Sequence, residues 1–285
     1  MRLWAISDLH VGHRHNRDAI ERLAPRPDDW LIIAGDVGEK PAHLRFVLET
    51  LAPRFAQLVW VPGNHELWAG GEGDDNLAGQ ARYEMLVELC RGYDVLTPED
   101  PYPVWNGEGG PHLICPLFLL YDYSFRPDDV PAEAALAWAM ESGVVCADES
   151  YLDPAPFADP GAWCASRCER TEARLAQAPP ELPLVLINHF PLHRDMVTLP
   201  RIPRFSLWCG TRRTEPWLQR FNIAVVVSGH LHIRSTRWLH NIRFEEVSLG
   251  YPRHWSGDAA DDYLREILPG NGAPLRDTWY RLGGK

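Results

Sequence analysis

The stretch WVPGNHELW, residues 60–68, decides the fold of this sequence, because an apolar segment turns polar within it. Residues 57–61 are largely apolar and predict a buried strand. A Pro-Gly pair ends that strand, since proline cannot donate to a β-ladder and glycine favours turns. An amide, an imidazole and a carboxylate follow at residues 64–66. Such side chains at the end of a buried strand predict a functional site beside it.

Four further apolar segments end in polar residues of the same few types. Two earlier ones end in SDLH (residues 7–10) and AGDVGE (residues 34–39), and two later ones end in INHFP (residues 187–191) and SGHLHI (residues 228–233). In open α/β sheets the loops at the carboxyl ends of the strands gather at one edge, where sites form. We therefore expect seven side chains to converge there: Asp8, His10, Asp36, Asn64, His189, His230 and His232.

This set of side chains predicts two metal ions. Oxygen and imidazole ligands without thiolate suit divalent manganese, iron or zinc. Two motifs have i, i+2 spacing, which would place both side chains on one side of an extended segment. If one carboxylate bridges, seven ligands suffice for two metals, and two metals stabilise the attacking and leaving oxygens of a phosphoryl displacement. One such motif alone is more often a turn or a core histidine, but five in series favour a metal site.

Short apolar strands alternate with amphipathic helices, which predicts an α/β fold. Strands are predicted at residues 3–7, 30–34, 57–61, 113–119, 184–187 and 223–227, with a hairpin of residues 236–239 and 243–248. Helices are predicted at residues 16–23, 41–51, 79–91, 132–142 and 161–177. We expect a single domain over residues 1–285, with an elaborated, proline-rich and acidic middle region (residues 121–183) that could overhang the site.

The 285-residue chain carries a net charge of −11 at pH 7. This acidity disfavours general affinity for nucleic acid or membranes, which needs clustered lysine and arginine. Residues 190–237 are an exception, with eight arginines and two carboxylates. The first predicted strand leaves no room for a signal peptide, and no apolar run reaches the length of a membrane span. With six cysteines expected as reduced thiols, we predict a cytoplasmic protein of undetermined oligomeric state.

The ordered set D-x-H, G-D, G-N-H-E, H and G-H-x-H spans residues 8–232 and resembles the calcineurin-like metallophosphoesterase superfamily. The resemblance implies two packed mixed β-sheets flanked by helices. It also implies two metal sites that share Asp36 as a bridging ligand. The first would comprise Asp8, His10, Asp36 and His232, and the second Asp36, Asn64, His189 and His230.

The same resemblance implies roles for two further residues. His65 matches the general acid of the family, and Glu39 is expected to contact and orient it, so that both join Asp36 in catalysis. Lys40 stands where the protein-phosphatase branch has an arginine. Because lysine cannot bind phosphate in the same bidentate way, this difference disfavours that branch.

Segments outside the metal motifs resemble the actinobacterial phosphopantetheinyl hydrolase branch of the superfamily. They are FLLYDYSF (residues 118–125), FSLWCGT (residues 205–211) and RFEEVSLGYPR (residues 243–253). This resemblance implies cleavage of the phosphodiester that joins phosphopantetheine to the serine of a holo carrier protein. Candidates for a pantetheine groove are Phe205, Trp208, Cys209, Tyr251, Arg253 and Trp255, although core packing is the commoner role of any single aromatic residue.

The arginine-rich segment adds a hypothesis about the partner. Carrier proteins are typically acidic, so a basic surface beside the site would steer them toward an otherwise acidic enzyme. We expect this surface to comprise Arg201, Arg204, Arg212 and Arg213, with a solvated, ion-paired surface as the equal alternative. Other phosphoesters (phosphoproteins, cyclic nucleotides or nucleotides) remain alternative substrates, and a non-catalytic scaffold is a remote alternative because all seven ligand positions and His65 are present.

Overall fold

Ten strands of the described residues form two mixed β-sheets. The computed structural model describes residues 1–70, 76–257 and 259–270. The strands are β1 (Leu3–Ile6), β2 (Arg26–Ala34), β3 (Phe55–Val61), β4 (Val104–Trp105), β5 (His112–Pro116), β6 (Leu184–Ile187), β7 (Ile223–Ser228), β8 (Ser235–Leu239), β9 (Ile242–Glu246) and β10 (Arg265–Leu268). The first sheet has the order β10-β1-β2-β3 and the second the order β4-β5-β6-β7-β9-β8.

Both sheets have a parallel centre and antiparallel edges. In the first, β1, β2 and β3 are parallel and β10 is antiparallel to β1. In the second, β5, β6, β7 and β9 are parallel, and β4 and β8 are antiparallel to their neighbours. The carboxyl ends of parallel strands within a sheet point the same way, so the loops that follow them share one edge.

Helices connect these strands. They are α1 (Arg14–Arg22), α2 (Pro41–Leu51), α3 (Asn64–Leu67), α4 (Gly79–Arg91), α5 (Ala135–Met140), α6 (Asp148–Tyr151), α7 (Pro160–Leu175) and α8 (Trp217–Arg220). Helix α2 begins at a proline, whose missing N–H is not needed in the first turn. Helix α7 also begins at a proline, and the Asp159 carboxylate caps it by accepting from the Ala162 N–H.

The central strands are apolar where both of their faces are buried, as in the whole of β6 and the second half of β2. Ile32 and Ala34 of β2 belong to a cluster that also contains Val185 of β6, and this cluster fills the space between the sheets. Leu31 and Ile33, the alternate residues of β2, belong to the cluster that contains the helix side chains. This double burial makes the strand ends rigid supports for the loops that follow.

The structure confirms the two-sheet architecture and most predicted elements, with some differences. Strand β5 ends at Pro116 instead of residue 119, because the next backbone bonds to other partners: the Leu119 N–H donates to the Asn188 side chain. Strands β4 and β10 were not predicted. The predicted hairpin of β8 and β9 turns at His240 and Asn241, whose φ angles of 51° and 64° are those of a two-residue turn.

Across the described ranges, no helix is both long and apolar enough to cross a membrane.

Candidate metal centre

The polar side chains that follow the parallel strands come together at one edge of the two sheets. Most of them lie in backbone turned sharply away from the strand, with positive φ angles: Asp8 (54°), His10 (41°), Asp36 (53°), His230 (72°) and His232 (53°). This conformation costs roughly 1–2 kcal/mol for a residue with a side chain and concentrates at functional sites. The i, i+2 pairs therefore converge through left-handed turns and not, as the spacing suggested, along extended backbone.

The first group of potential ligands comprises Asp8, His10, Asp36 and His232, whose ligand atoms all lie within 4.8 Å of one another. His232 Nε2 is 2.8 Å from Asp8 Oδ1, and His10 Nε2 is 3.2 Å from His232 Nε2. His10 Nε2 also lies 4.0 Å from Asp36 Oδ2. Two carboxylates and two imidazoles at these separations form a compact donor set for one divalent cation.

The second group comprises Asp36, His189 and His230, again with ligand atoms within 4.8 Å of one another. Asp36 Oδ2 is 3.4 Å from His189 Nε2, and His189 Nδ1 is 2.9 Å from the Ala34 carbonyl oxygen. The Asn64 Nδ2 group donates to Asp148 at 2.8 Å, so its Oδ1 atom faces the other way. Asp36 belongs to both groups, which is the arrangement required of a bridging carboxylate.

Several buried polar atoms of these side chains lack a hydrogen-bond partner among the described residues. They are His10 Nδ1, Asn64 Oδ1, His189 Nε2 and His230 Nε2. Buried polar atoms are seldom left unpaired, because each costs about 1–3 kcal/mol. Asn64 Oδ1, His189 Nε2 and His230 Nε2 are atoms able to bind a metal at the second group, whereas His10 Nδ1 is the ring nitrogen other than the Nε2 that faces the first group. The donor set and its unpaired atoms therefore fit two divalent ions.

The electrostatics of the cluster favour positive charge beside its two aspartates. Burial lowers the pKa of His10 and of His230 to about 3, so both are neutral and able to bind a metal. Burial also acts to lower the pKa of His189, but the carboxylates of Asp36 and Asp8 outweigh it and raise that pKa to about 10. The site therefore demands positive charge that either protons or metal ions can supply.

His65 lies beside the ligands and faces Glu39. His65 Nδ1 is 3.2 Å from Glu39 Oε1, and His65 Nε2 is 3.8 Å from Asp36 Oδ2. The hydrogen bond to His65 lowers the pKa of Glu39 to about 2. Burial disfavours the charged imidazole, but Asp36 and Glu39 outweigh burial and raise the pKa of His65 to about 9. His65 is thus held as a proton donor, and the Trp68 ring stacks on it at 3.8 Å between centroids.

Glu66 explains why the GNHE motif ends in a carboxylate. Its two oxygens accept from the backbone N–H groups of Asp36 at 3.0 Å, Val37 at 2.9 Å and Gly63 at 3.0 Å. Glu66 therefore ties the loop after β2 to the loop after β3. Its motif was recognised in the sequence, but this orienting role was not predicted.

Three further side chains that orient ligands were missed in the sequence. The hydroxyl groups of Ser7 and Ser248 donate to Asp8 Oδ2, which leaves Asp8 Oδ1 facing His232. Asp148, from α6 in the middle region, accepts from the Asn64 amide. Ser248 and Asp148 are far from their partners in sequence and belong to no metal-ligand pattern, so only Ser7, next to Asp8, carried a local signal.

The predicted groove residues divide between the site and the core. Tyr251 stacks on His10 at 4.3 Å between ring centroids. With Arg253, His13 and Pro252 it lines an open cavity of about 500 Å³. The Phe205 ring lies 5.9 Å from that of His230.

The other predicted groove residues, Trp208, Cys209 and Trp255, are buried. The Trp208 indole N–H donates to Glu149 at 2.6 Å, and the Trp255 indole N–H donates to Asn16 at 3.1 Å. Their burial and their bonds within the protein are those of packing residues.

The four arginines of the predicted docking surface are mostly ion-paired. Arg204 lies 2.9 Å from Glu141, Arg212 lies 2.6 Å from Asp128, and Arg213 lies 3.4 Å from Asp122. Arg201 is exposed. Arg204, Arg212 and Arg213 are thus ion-paired, as expected of a solvated, ion-paired surface. Arg201 and the exposed side of Arg213 face solvent.

This chain is similar to known phosphoesterases in both sequence and structure. Residues 1–234 match the family model of calcineurin-like phosphoesterases. The [acyl-carrier-protein] phosphodiesterase PptH of Mycobacterium tuberculosis (strain ATCC 25618 / H37Rv) is 49% identical over 269 residues, which are 94% of this chain and 83% of that protein. The crystal structure of phosphopantetheinyl hydrolase (PptH) from Mycobacterium tuberculosis superimposes with a TM-score of 0.90 and 47% identity, covering 96% of this chain and 98% of that one. A dimetal phosphatase from Danio rerio shares the fold, with a TM-score of 0.50, 11% identity and 87% coverage of each chain.

Proposed function

This chain belongs to the calcineurin-like phosphoesterase family, and from that premise we propose that it is a two-metal phosphodiesterase that removes phosphopantetheine from holo acyl or peptidyl carrier protein. The products would be the apo carrier protein and free phosphopantetheine. The observation that carries the substrate assignment is the 49% identity, over 94% of the chain, to a protein named for this reaction.

The proposed metal ligands are the two groups that share Asp36, with Asn64 completing the second group. Manganese and iron are the metals we propose, with zinc as a third possibility, because imidazole and carboxylate donors suit all three. When bound, two such ions would lower the pKa of a coordinated water and neutralise charge on the phosphate oxygens. The chain's own part is to hold the donors: Glu66 fixes the Asp36 loop, and Ser7 and Ser248 fix the Asp8 carboxylate.

His65 would act on the leaving group. Its protonated form, maintained by Asp36 and Glu39, would donate to the serine oxygen of the carrier as the phosphorus–oxygen bond breaks. Glu39 orients the ring by its contact with Nδ1, which leaves Nε2 free to face the substrate. The Trp68 ring covers one face of the imidazole and limits its movement.

The open cavity beside His10 is where we propose that the phosphopantetheine arm binds. Tyr251 would offer an apolar surface to the arm and Arg253 a cation for its phosphate. Phe205, whose ring lies near His230, would border the arm on the other side. We keep the exposed arginines Arg201 and Arg213 as the docking contacts for the carrier protein.

We place this activity in the cytoplasm. All six cysteines are free thiols, and all are buried. Cys164 and Cys168, one helical turn apart in α7, have their sulfur atoms 4.0 Å apart without a bond. Unpaired thiols in this number support a reducing compartment.

Intact-mass spectrometry of a holo acyl carrier protein incubated with the protein and Mn²⁺ tests this function. We expect the carrier to lose the mass of phosphopantetheine, and the loss to be absent with Asp36→Asn, which weakens the ligand common to both groups. Cleavage of bis-p-nitrophenyl phosphate without any change in the carrier would show that the metal chemistry is right and the substrate wrong. Failure with both substrates would reject the proposed activity as a whole.

A further inference from the structure

Asp148 links the metal centre to the middle region of the chain. It is the first residue of α6 and is 1% exposed. Its Oδ1 atom accepts two hydrogen bonds, from Asn64 Nδ2 at 2.8 Å and from Trp68 Nε1 at 2.7 Å. Neighbouring backbone contacts hold α6 in place, since the Ala69 N–H donates to the Tyr151 carbonyl oxygen at 2.8 Å.

The first of these bonds fixes the orientation of the Asn64 amide. An amide nitrogen has no lone pair for a metal, so Asn64 can act as a ligand only through Oδ1. Asp148 binds the nitrogen end and thereby directs Oδ1 away from itself, where it is buried and without a partner among the described residues. Both hydrogen bonds go to the same atom, Asp148 Oδ1, so this oxygen must be unprotonated. A proton on Asp148 Oδ2 would leave both bonds intact.

The second bond positions the ring that covers His65. The indole nitrogen of Trp68 can only donate a hydrogen bond, and it donates to Asp148. The Trp68 ring then stacks on His65 with 3.8 Å between centroids and 30° between planes. One carboxylate oxygen therefore holds both a metal ligand and the aromatic support of the proposed general acid.

We propose that Asp148 is a positioning residue that fixes the oxygen of Asn64 toward the second metal and the ring of Trp68 over His65. This inference rests on the proposed two-metal function and adds to it a contribution of the middle region. What Asp148 supplies is an acceptor atom at a fixed point, so an uncharged acceptor of the same size should replace it. An apolar residue of similar size should not.

Mn²⁺ binding tests the proposal without using catalysis. Asp148→Leu removes the acceptor, and we expect it to weaken Mn²⁺ binding at one of two sites by about 10- to 100-fold while the other site is unchanged. Asp148→Asn keeps an acceptor oxygen and should bind two Mn²⁺ ions as the wild type does. Asp153→Asn is the matched control, because this nearby exposed residue caps the Ala155 N–H and asparagine can do the same.

Binding is measured by isothermal titration and by metal analysis after gel filtration, with circular dichroism as the check on folding. If Asp148→Leu does not fold, Asp148→Ala takes its place. The proposal is wrong if the folded leucine or alanine variant binds both Mn²⁺ ions with wild-type affinity. It is also wrong if Asp148→Asn loses as much affinity as the apolar variants.

A double-mutant cycle separates positioning from a general structural role. In an Asn64→Ala background the amide is gone, so replacing Asp148 should weaken Mn²⁺ binding no further. An additional loss equal to that in the wild-type background would contradict the proposal. A wild-type protein that binds two Mn²⁺ ions yet leaves holo carrier protein intact would reject the proposed substrate, while the result for Asp148 would stand.

Discussion

At the scale of single residues, the pair of His65 and Glu39 controls the proton that the reaction needs. A general acid acts in its protonated form, so its activity falls as the pH rises through its pKa. Burial opposes the charge on His65, and the carboxylates of Asp36 and Glu39 together raise its pKa to about 9. Of these two carboxylates, Asp36 is a proposed metal ligand and Glu39 is not. Glu39 can therefore be changed without removing a metal ligand.

Glu39→Gln is predicted to move the alkaline limb of the kcat–pH profile to lower pH by about 1–3 units, because removing the carboxylate lowers the pKa of His65. The acidic limb should not move in the same direction. Steady-state kinetics on bis-p-nitrophenyl phosphate between pH 5 and 10 measure this shift. Glu49→Gln on α2, an exposed residue that accepts from Tyr93, is the control. A profile lowered uniformly, with its alkaline limb in place, would contradict the assigned role of Glu39.

Sequence alone predicts side chains that repeat a pattern and misses those that act through distant contacts. The seven ligand candidates stand out because each follows an apolar run, and the structure brings six of them together in the two groups that share Asp36. Asp148 lies 84 residues from Asn64, and Ser248 lies 240 residues from Asp8. Nothing in the four-residue α6 or beside Ser248 reveals those partners, because only the folded chain brings them close.

At the scale of elements, the loops after β2 and β3 approach so closely that one position must be glycine. A Cβ atom on Gly63 would lie 2.1 Å from Asp36 Oδ1 and 2.5 Å from the Asp36 backbone nitrogen. The φ angle of Gly63 is −96°, so an alanine there would suffer no backbone strain and the conflict is purely steric. The Asp36 carboxylate is therefore positioned in part by the absence of a side chain on the neighbouring loop.

Gly63→Ala is predicted to displace Asp36, because the added methyl group would occupy the space of its carboxylate. The two loops cannot separate to relieve this clash without breaking their hydrogen bonds to Glu66. We expect kcat to fall by about 100-fold or more, as displacements near 1 Å can do, and both metals to bind more weakly. Overpacking should also cost about 1–3 kcal/mol of stability. Kinetics, Mn²⁺ titration and thermal unfolding measure the three effects.

The control for this change is Gly92→Ala. Gly92 follows α4 with a φ angle of −61°, and an added Cβ would meet its nearest atom, the Leu89 carbonyl oxygen, at 3.3 Å. We expect that variant to keep wild-type kcat and two metals. Wild-type kcat and metal binding in Gly63→Ala itself would show that the loops are not held as the structure indicates.

The predictability of the elements follows their burial. Central strands such as β6 are apolar throughout because they are covered on both faces, and this makes them visible in the sequence. The two-residue β4 and the four-residue β10 lie at sheet edges, and neither shows an apolar run, since β4 is too short and β10 begins with Arg265 and Glu266. The division into two sheets came from the resemblance to a family, since strand patterns alone do not reveal which strands pair.

At the scale of the whole molecule, the charge distribution raises the question of how an acidic partner approaches. The chain carries −11, and the arginine-rich residues 190–237 are its basic exception. Most arginines of the proposed surface already contact a carboxylate, and exposed pairs of this kind contribute about 0–1 kcal/mol to stability. Loss of these pairs should therefore affect folding little, and steering of a partner is the property that should respond.

Reversing two exposed charges, Arg201→Glu and Arg213→Glu, is predicted to lower kcat/KM for a holo carrier protein by about tenfold at low salt, because steering by complementary charge raises the association rate. The activity on bis-p-nitrophenyl phosphate should be unchanged, since that small diester needs no docking surface. The difference should shrink as ionic strength rises and the charges are screened.

Arg45→Glu with Arg91→Glu, two exposed arginines on α2 and α4, is the matched control for net charge. Equal losses on both substrates would place the defect in the metal centre, and an unchanged rate on the carrier would mean that these arginines serve only as a solvated surface.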